Sequence, residues 1–163
     1  REWQKDNGES VYRRGLYTHW QRQYLHPAML AFDASCREEC SADRVRSNTP
    51  LQALALLNDP CEVEAARVFA EKILKEGGKS DAEKIDFAFT RTLSRSPKPK
   101  EKEVLLNLVV EYRKSLAKDP KAAKEFLSVG DKPASKEFPE EELAAWGGVA
   151  RALFNLHETI TRN

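Results

Sequence analysis

The sequence is poor in the residues that build disulfide scaffolds and metal centres. Three cysteines, Cys36, Cys40 and Cys61, and three histidines occur in 163 residues. A low and odd cysteine count does not fit a disulfide scaffold, and structural zinc uses paired cysteine or histidine arms that are missing here. Basic and acidic side chains number 27 and 26. Because these charges nearly cancel, the chain lacks the main electrostatic feature of nucleic-acid-binding proteins.

Long apolar runs are also missing. No stretch approaches the ~20 apolar residues that cross a bilayer, so the sequence predicts no membrane span. The chain begins with Arg1 rather than Met and has no basic and then apolar leader, so we expect a processed chain or part of a longer protein. Charged residues make up 33% of the chain and are interleaved along the predicted helix faces. This pattern indicates solvated surface.

Recognisable catalytic motifs are absent as well. The chain has no Gly-x-Ser-x-Gly elbow, no phosphate-binding glycine loop and no Cys-x-x-Cys-His haem-attachment motif. Its histidines, His19, His26 and His157, are too scattered to indicate a catalytic triad. The residues alone therefore do not indicate a reaction.

Helix signals dominate from residue 49 onward. Thr49 can cap a helix that starts with Pro50. Asp59 can cap a second helix, with Pro60 first and Glu62 placed to complete a capping box. Apolar residues that recur every three or four positions predict helices over 50–58, 60–76, 80–95, 101–118, 120–128 and 139–160. No segment alternates with a period of two, so the predicted fold is all-α, an irregular multi-helix bundle of antiparallel helices.

The N-terminal third is less regular. Side chains at spacings of four predict a helix over 9–24 with an aromatic stripe facing the core: Tyr12, Leu16, Trp20 and Tyr24. His26-Pro27 ends this helix, residues 28–33 form a short turn, and residues 36–46 have no clear period. We predict one helical domain, 1–163, in which an aromatic helix and an irregular Arg/Asp segment (1–48) precede a helical bundle (49–163).

The last predicted helix contains two features of interest. His157 falls on its apolar stripe, where a hydrogen-bonded core histidine is more common than a base or a ligand. Gly147 and Gly148 lie in its middle. Because glycine inside a helix costs about 1 kcal/mol without a packing reason, this pair predicts a close helix–helix contact or a kink.

The most suggestive polar segment lies between residues 33 and 46. Its acids are candidate catalytic carboxylates for a carbohydrate-active enzyme: Asp33, Glu38 and Glu39. Arginines that could position a substrate are Arg13, Arg14, Arg37, Arg44 and Arg46. The same residues could instead form an ion-pair network that fixes a loop onto the helices, which is the commoner use of such a cluster.

Four residues are weak candidates for metal or haem ligands: His19, His26, Cys36 and Cys40. Cys36 and Cys40 would lie about one turn apart in a helix, but a metal site needs three or four converging groups. Two alternatives stay open, a disulfide between Cys61 and one of these cysteines, or free thiols. We predict no cofactor.

Several runs of the chain together resemble one family: Tyr12–Thr18, His26–Asp33, Arg37–Cys40, Ser47–Pro60 and Ala152–Glu158. They resemble the C-terminal part of the planctomycete PSD domain, a domain of unknown function, and the Asn-Thr-Pro-Leu-Gln-Ala-Leu run is the most specific of them. The resemblance implies a large exported bacterial protein in which this domain follows a cytochrome-c-like module. No catalytic residue is established for the family, and Cys36 and Cys61 depart from its pattern.

Three functional hypotheses follow. The first, supported by the resemblance, is a helical interaction or scaffold module that docks onto preceding domains of the same parent protein or a c-type cytochrome, in a periplasmic or extracellular setting. The second is a carbohydrate-active enzyme that uses the carboxylates of residues 33–39. The third is haem or metal binding.

Overall fold

The structure is a computed structural model that describes residue 6 and residues 8–19, 25–35, 40, 42–43 and 47–161. The chain divides into two compact units, residues 1–55 and residues 56–163. The boundary predicted at residues 48/49 therefore lies inside the first unit.

All regular secondary structure in the described residues is helical, and these residues contain no strand. The first unit has two 3₁₀-helices, Gly8–Tyr12 and Gly15–Tyr17, followed by α1 (Pro27–Ala31) and the start of α2 (Pro50–Asn58). The second unit consists of α3 (Pro60–Glu76), α4 (Asp81–Leu93), α5 (Pro99–Lys118), α6 (Pro120–Leu127), α7 (Glu140–Phe154) and α8 (His157–Ile160). The all-α prediction is confirmed.

The helices start where the capping residues predict. Thr49 Oγ1 accepts a hydrogen bond from the Gln52 amide at 3.3 Å. Asp59 Oδ1 accepts one from the Cys61 amide at 2.8 Å. These side chains satisfy backbone donors that have no partner within the first helical turn. The Glu62 carboxyl was expected to complete a capping box, but it is partly buried instead, and burial together with the neighbouring Asp59 charge raises its pKa.

The core of the second unit surrounds α7, which packs against α3, α5 and α6. Trp146 is its largest fully buried side chain, and its indole Nε1 donates a hydrogen bond to Glu142 Oε1 at 2.9 Å. This bond satisfies the polar atom of an otherwise apolar side chain. The same core contains apolar residues of neighbouring helices and of α7 itself, including Ile73, Ile85, Phe89, Val109, Leu143, Val149 and Leu153.

The two central glycines of α7 confirm the predicted close contact. A Cβ atom on Gly147 would lie 2.4 Å from Phe126 Cε1 of α6, and one on Gly148 would lie 2.6 Å from Tyr112 Cε2 of α5. Neither distance is compatible with a side chain. The glycines therefore let two aromatic rings approach the α7 backbone. This close packing explains why the helix contains two glycines despite their low helix propensity.

The aromatic helix predicted over 9–24 is wrong over its described part. Two short 3₁₀-helices replace it, separated by Arg14 in an extended conformation (φ −59°, ψ 147°). Gly8 and Gly15, which start these two pieces, have low helix propensity, and isolated short helices are marginal in water. Tyr12 and Leu16 are exposed instead of facing a core, whereas Trp20 and Tyr24 lie outside the described residues.

Two further boundaries differ from the prediction. Pro27 begins helix α1 rather than following the end of a helix, and the residues predicted as a turn are helical up to Ala31. The last helix ends at Phe154, and α8 begins after Leu156. His157 is therefore exposed, and the expectation of a core histidine was wrong because α7 ends before this position.

Candidate functional site

Asp33 joins the end of α1 to the start of α2 within the first unit. Its Oδ2 accepts hydrogen bonds from the Ser47 amide at 2.8 Å and from Ser47 Oγ at 2.6 Å. Gln52 Nε2 lies 3.4 Å from the same oxygen and donates to Ser47 Oγ at 3.0 Å. Gln52 Oε1 in turn accepts from the Thr49 amide at 3.3 Å. We call Asp33, Ser47, Thr49 and Gln52 the Asp33 cluster.

The geometry of the Asp33 cluster indicates a structural rather than a catalytic role for the Asp33 carboxylate. The two hydrogen bonds from Ser47 stabilise the charged form and lower the pKa of Asp33, so this carboxyl is a poor general acid and a weak base. Asp33 also has a positive φ of 55°, a conformation that aspartate tolerates better than most residues. The sequence predicted the capping role of Thr49 but not the connection of this helix start to Asp33, which lies 19 residues from Gln52.

The other predicted site residues are only partly described. Arg13 and Arg14 are exposed. The remaining acids and arginines of the segment, with Cys36, lie outside the described residues: Arg37, Glu38, Glu39, Arg44 and Arg46. The predicted pairing of carboxylates with arginines at this site thus stays a prediction.

The candidate metal ligands have other surroundings where they are described. His26 Nδ1 accepts a hydrogen bond from the Ala28 amide at 3.3 Å and thereby caps α1. His19 and Cys40 are exposed. Cys40 and Cys61 do not form a disulfide with each other. Within the described part of the chain, no group of three or more His, Cys, Asp or Glu residues is arranged to hold a metal ion.

A second polar cluster, in the second unit, was not predicted. Three charged residues of α3 hold the backbone of residues 129–138, which we call the strap. Glu64 Oε2 accepts from the Asp131 amide at 2.6 Å, and Arg67 Nη2 donates to the Lys132 carbonyl at 2.5 Å. Glu71 Oε1 accepts from the amide of Ser135 at 3.0 Å. α3 therefore binds the strap mainly through the strap's backbone.

The charged side chains that hold the strap are unusually buried. Arg67 is fully buried and Glu64 is 3% exposed. Arg67 Nη1 lies 3.6 Å from Glu71 Oε1, so the guanidinium is paired within the helix. Gly130 adopts a φ of +99°, and a Cβ there would lie 2.2 Å from Glu64 Oε2. The spacing of three and four residues was visible in the sequence, but charged residues at such a spacing are usually on the surface.

Other ion pairs of the second unit connect helices. Arg113 of α5 pairs with Asp81 Oδ2 of α4 and with Glu142 Oε1 of α7, each at 2.6 Å. These bonds lower the pKa of both carboxyls. Both acids accept two hydrogen bonds from the guanidinium, which is the geometry that arginine provides.

Arg95 forms a similar centre near α8. It pairs with Glu101 Oε1 at 2.9 Å and with Glu158 Oε2 at 2.6 Å. The bonds from Arg95, with one from the Lys98 amide, lower the pKa of Glu101 to about 2. Glu158 belongs to the Asn-Leu-His-Glu run, so the structure explains part of that run as an anchor for α8. Four carboxylates, those of Asp81, Glu101, Glu142 and Glu158, thus pair with Arg113 or Arg95 in the described part of the second unit.

The first unit differs in what it exposes. Its exposed large apolar side chains, which we call the exposed apolar set, are Tyr12, Leu16, Tyr17, Leu30, Leu51 and Leu54. On α2 the usual pattern is inverted, because Gln52 is 2% exposed whereas Leu51 is 61% and Leu54 57% exposed. Apolar side chains on the outside of a helix are typical of a surface that another protein covers.

The comparisons with known proteins identify a family. The model of the family described as PSD1, a protein of unknown function (DUF1553), matches residues 1–109. The Asn-Thr-Pro-Leu-Gln-Ala-Leu run lies inside the matched residues, and the Asn-Leu-His-Glu run lies outside them. No curated protein and no solved structure matches the chain. Separately, none of the helices in the described ranges is long and apolar enough to cross a membrane.

Proposed function

The chain belongs to the PSD1 family of proteins of unknown function, and on that premise we propose that it is a helical interaction module. Its first unit docks through the exposed apolar set onto another domain of the same parent protein, a cytochrome-c-like domain. Its second unit is a helical scaffold. The observation that carries this proposal is the inverted helix α2, with leucines outside and Gln52 inside.

The hydrogen bonds of Gln52 support a fixed orientation of α2, with Gln52 inside and the leucines outside. Gln52 makes hydrogen bonds to the side chains of Asp33 and Ser47 and receives one from the Thr49 amide. A buried amide without these partners would cost about 1–3 kcal/mol, so the Asp33 cluster keeps Gln52 inside and Leu51 outside. The leucines are therefore presented by a specific structure. A covering partner would remove both from water.

No observation favours the enzyme alternative. The described candidate carboxylate, Asp33, is held by Ser47 and Gln52. The clustered carboxylates of the second unit that bind arginine are similarly committed to structural pairs. This is the arrangement expected of a scaffold rather than of a glycosidase, whose two carboxyl groups face an open cleft.

The test compares the binding of a variant with two leucines of α2 replaced and a variant with one valine of α5 replaced. Leu51→Gln together with Leu54→Gln removes two exposed apolar side chains of α2, and Val104→Gln removes one of α5 that is 64% exposed. Binding of each variant to the recombinant cytochrome-c-like domain of the parent protein is measured by calorimetry. Burying a leucine contributes about 1.5–3 kcal/mol, so we expect the double variant to bind about 100-fold more weakly.

Val104→Gln is expected to bind like the unchanged chain, because Val104 is not in the exposed apolar set. Unchanged binding of the double variant, or equal weakening by Val104→Gln, would contradict the proposal. The compartment is a separate part of the proposal. We propose a periplasmic or extracellular location, and fractionation of the native cells with an antibody to the chain tests it.

A further inference from the structure

Successive residues of the strap contact successive residues of α3 in the same order. Asp131 contacts Glu64, Ser135 contacts Glu71, and Glu137 pairs with Lys75 at 3.8 Å. Glu64 and Glu71 are separated by roughly 10 Å along a helix axis. The four residue steps from Asp131 to Ser135 span roughly 13 Å when extended. The strap therefore runs along α3 in the same direction and is bonded to it at intervals, with bends at residues 130–132 and 136–138.

The strap adds little apolar burial to the fold. Ala134 and Phe138 are its two side chains that pack against the core, and both are only partly buried. Its other contacts with α3 use charged side chains, two of which are almost fully buried. Removing charges from water offsets much of what their hydrogen bonds contribute. The closed strap is thus held by a smaller net free energy than its number of hydrogen bonds indicates.

We propose that the strap is a detachable element, which opens from α3 as one unit while the α7 core stays folded. Opening returns Glu64, Arg67 and Glu71 to water and uncovers a stripe on α3 that binds backbone atoms rather than particular side chains. Segments that are held by few apolar contacts typically open below the free energy of global unfolding. The inference concerns the second unit alone and is independent of the proposed docking surface.

Native-state hydrogen exchange tests the proposal on the full chain. The reporters are the amides of Asp131, Lys132 and Ser135, which the α3 carboxylates hold, and the amide of Val149 in α7. We expect the three strap amides to share one opening reaction with the same denaturant dependence. Their protection should be at least about tenfold lower than that of Val149.

A variant of the buried arginine separates detachment from general destabilisation. Arg67→Met removes the donor to the Lys132 carbonyl and the partner of Glu71, so strap exchange should accelerate at least about tenfold more than Val149 exchange. Glu71→Gln, at a partly exposed position, provides a milder change if Arg67→Met does not fold. Lys75→Gln alters only an exposed pair and should leave the strap amides unchanged.

Two results would overturn the proposal. Strap amides that exchange only with the protection of Val149, in the unchanged chain and the variants alike, would make the strap part of the global folding unit. Strap amides with three unrelated rates and no denaturant dependence would show local fluctuations instead of a common opening.

Discussion

Helices α2 and α7 have similar apolar compositions but opposite surroundings. α7 buries Leu143, Trp146 and Leu153 in the core of the second unit. α2 is also rich in leucine and alanine, yet Gln52 is its buried residue and Leu51 and Leu54 are exposed. Both sequences predict an apolar helix. Only the neighbours of each helix decide which face is covered, so α7 stabilises the fold and α2 is available to a partner.

The largest expected effect comes from truncating an apolar residue in α7. Trp146→Ala removes the largest fully buried side chain and the donor to Glu142. We expect a loss of about 3–5 kcal/mol in the free energy of unfolding of the second unit, measured by urea denaturation. Leu54→Ala on α2 should change it by less than about 0.5 kcal/mol, because that side chain is already in water. Similar losses in the free energy of unfolding for Trp146→Ala and Leu54→Ala would contradict the proposed difference between α7 and α2.

The Asp33 cluster gives the next largest effect, within the first unit. Asp33→Ala removes the acceptor of Ser47 and places a residue unsuited to positive φ at 55°. We expect the protection of the Ser47 amide against hydrogen exchange to fall in this variant. Asp33→Asn keeps an acceptor and tolerates the backbone, so a smaller loss of protection is expected. Equal protection in the two variants and the unchanged chain would refute the anchoring role.

Arg113 links three helices of the second unit, but about a third of its side chain is exposed. Water and salt weaken such pairs, so Arg113→Gln should cost only about 1 kcal/mol in urea denaturation, and less at high salt. Lys72→Gln is the control, because Lys72 is an exposed residue of α3. An Arg113→Gln effect that does not decline with added salt would contradict a mainly electrostatic contribution.

The smallest effect concerns pH. The pKa of Glu101 falls from the usual 4.5 to about 2, chiefly through Arg95. A carboxyl with a lowered pKa stabilises the folded state above its ordinary pKa, and this contribution is lost as pH falls through the folded value. The stability difference between the unchanged chain and Arg95→Gln should therefore shrink from pH 5 to pH 2. A difference independent of pH would show that Arg95 acts through packing alone.

Much of the second unit could be predicted from local sequence. Its helix starts depend on capping residues and prolines a few positions apart, and Ser80 and Glu83 form a capping box. The packing role of Gly147 and Gly148 also followed from the cost of glycine inside a helix. These features depend on neighbours in sequence. The break between α7 and α8 did not follow, because the apolar period continues through it.

Local sequence predicts the all-α class, most of the helix starts from residue 49 onward and the family to which the chain belongs. Only the packing of the helices places Gln52 inside and Leu51 outside, and buries Arg67 against the strap. The physical reason is distance along the chain. Capping and periodicity act within a few residues, whereas Gln52 meets Asp33 across 19 residues and Arg67 meets Lys132 across 65. Such contacts exist only once the helices have packed.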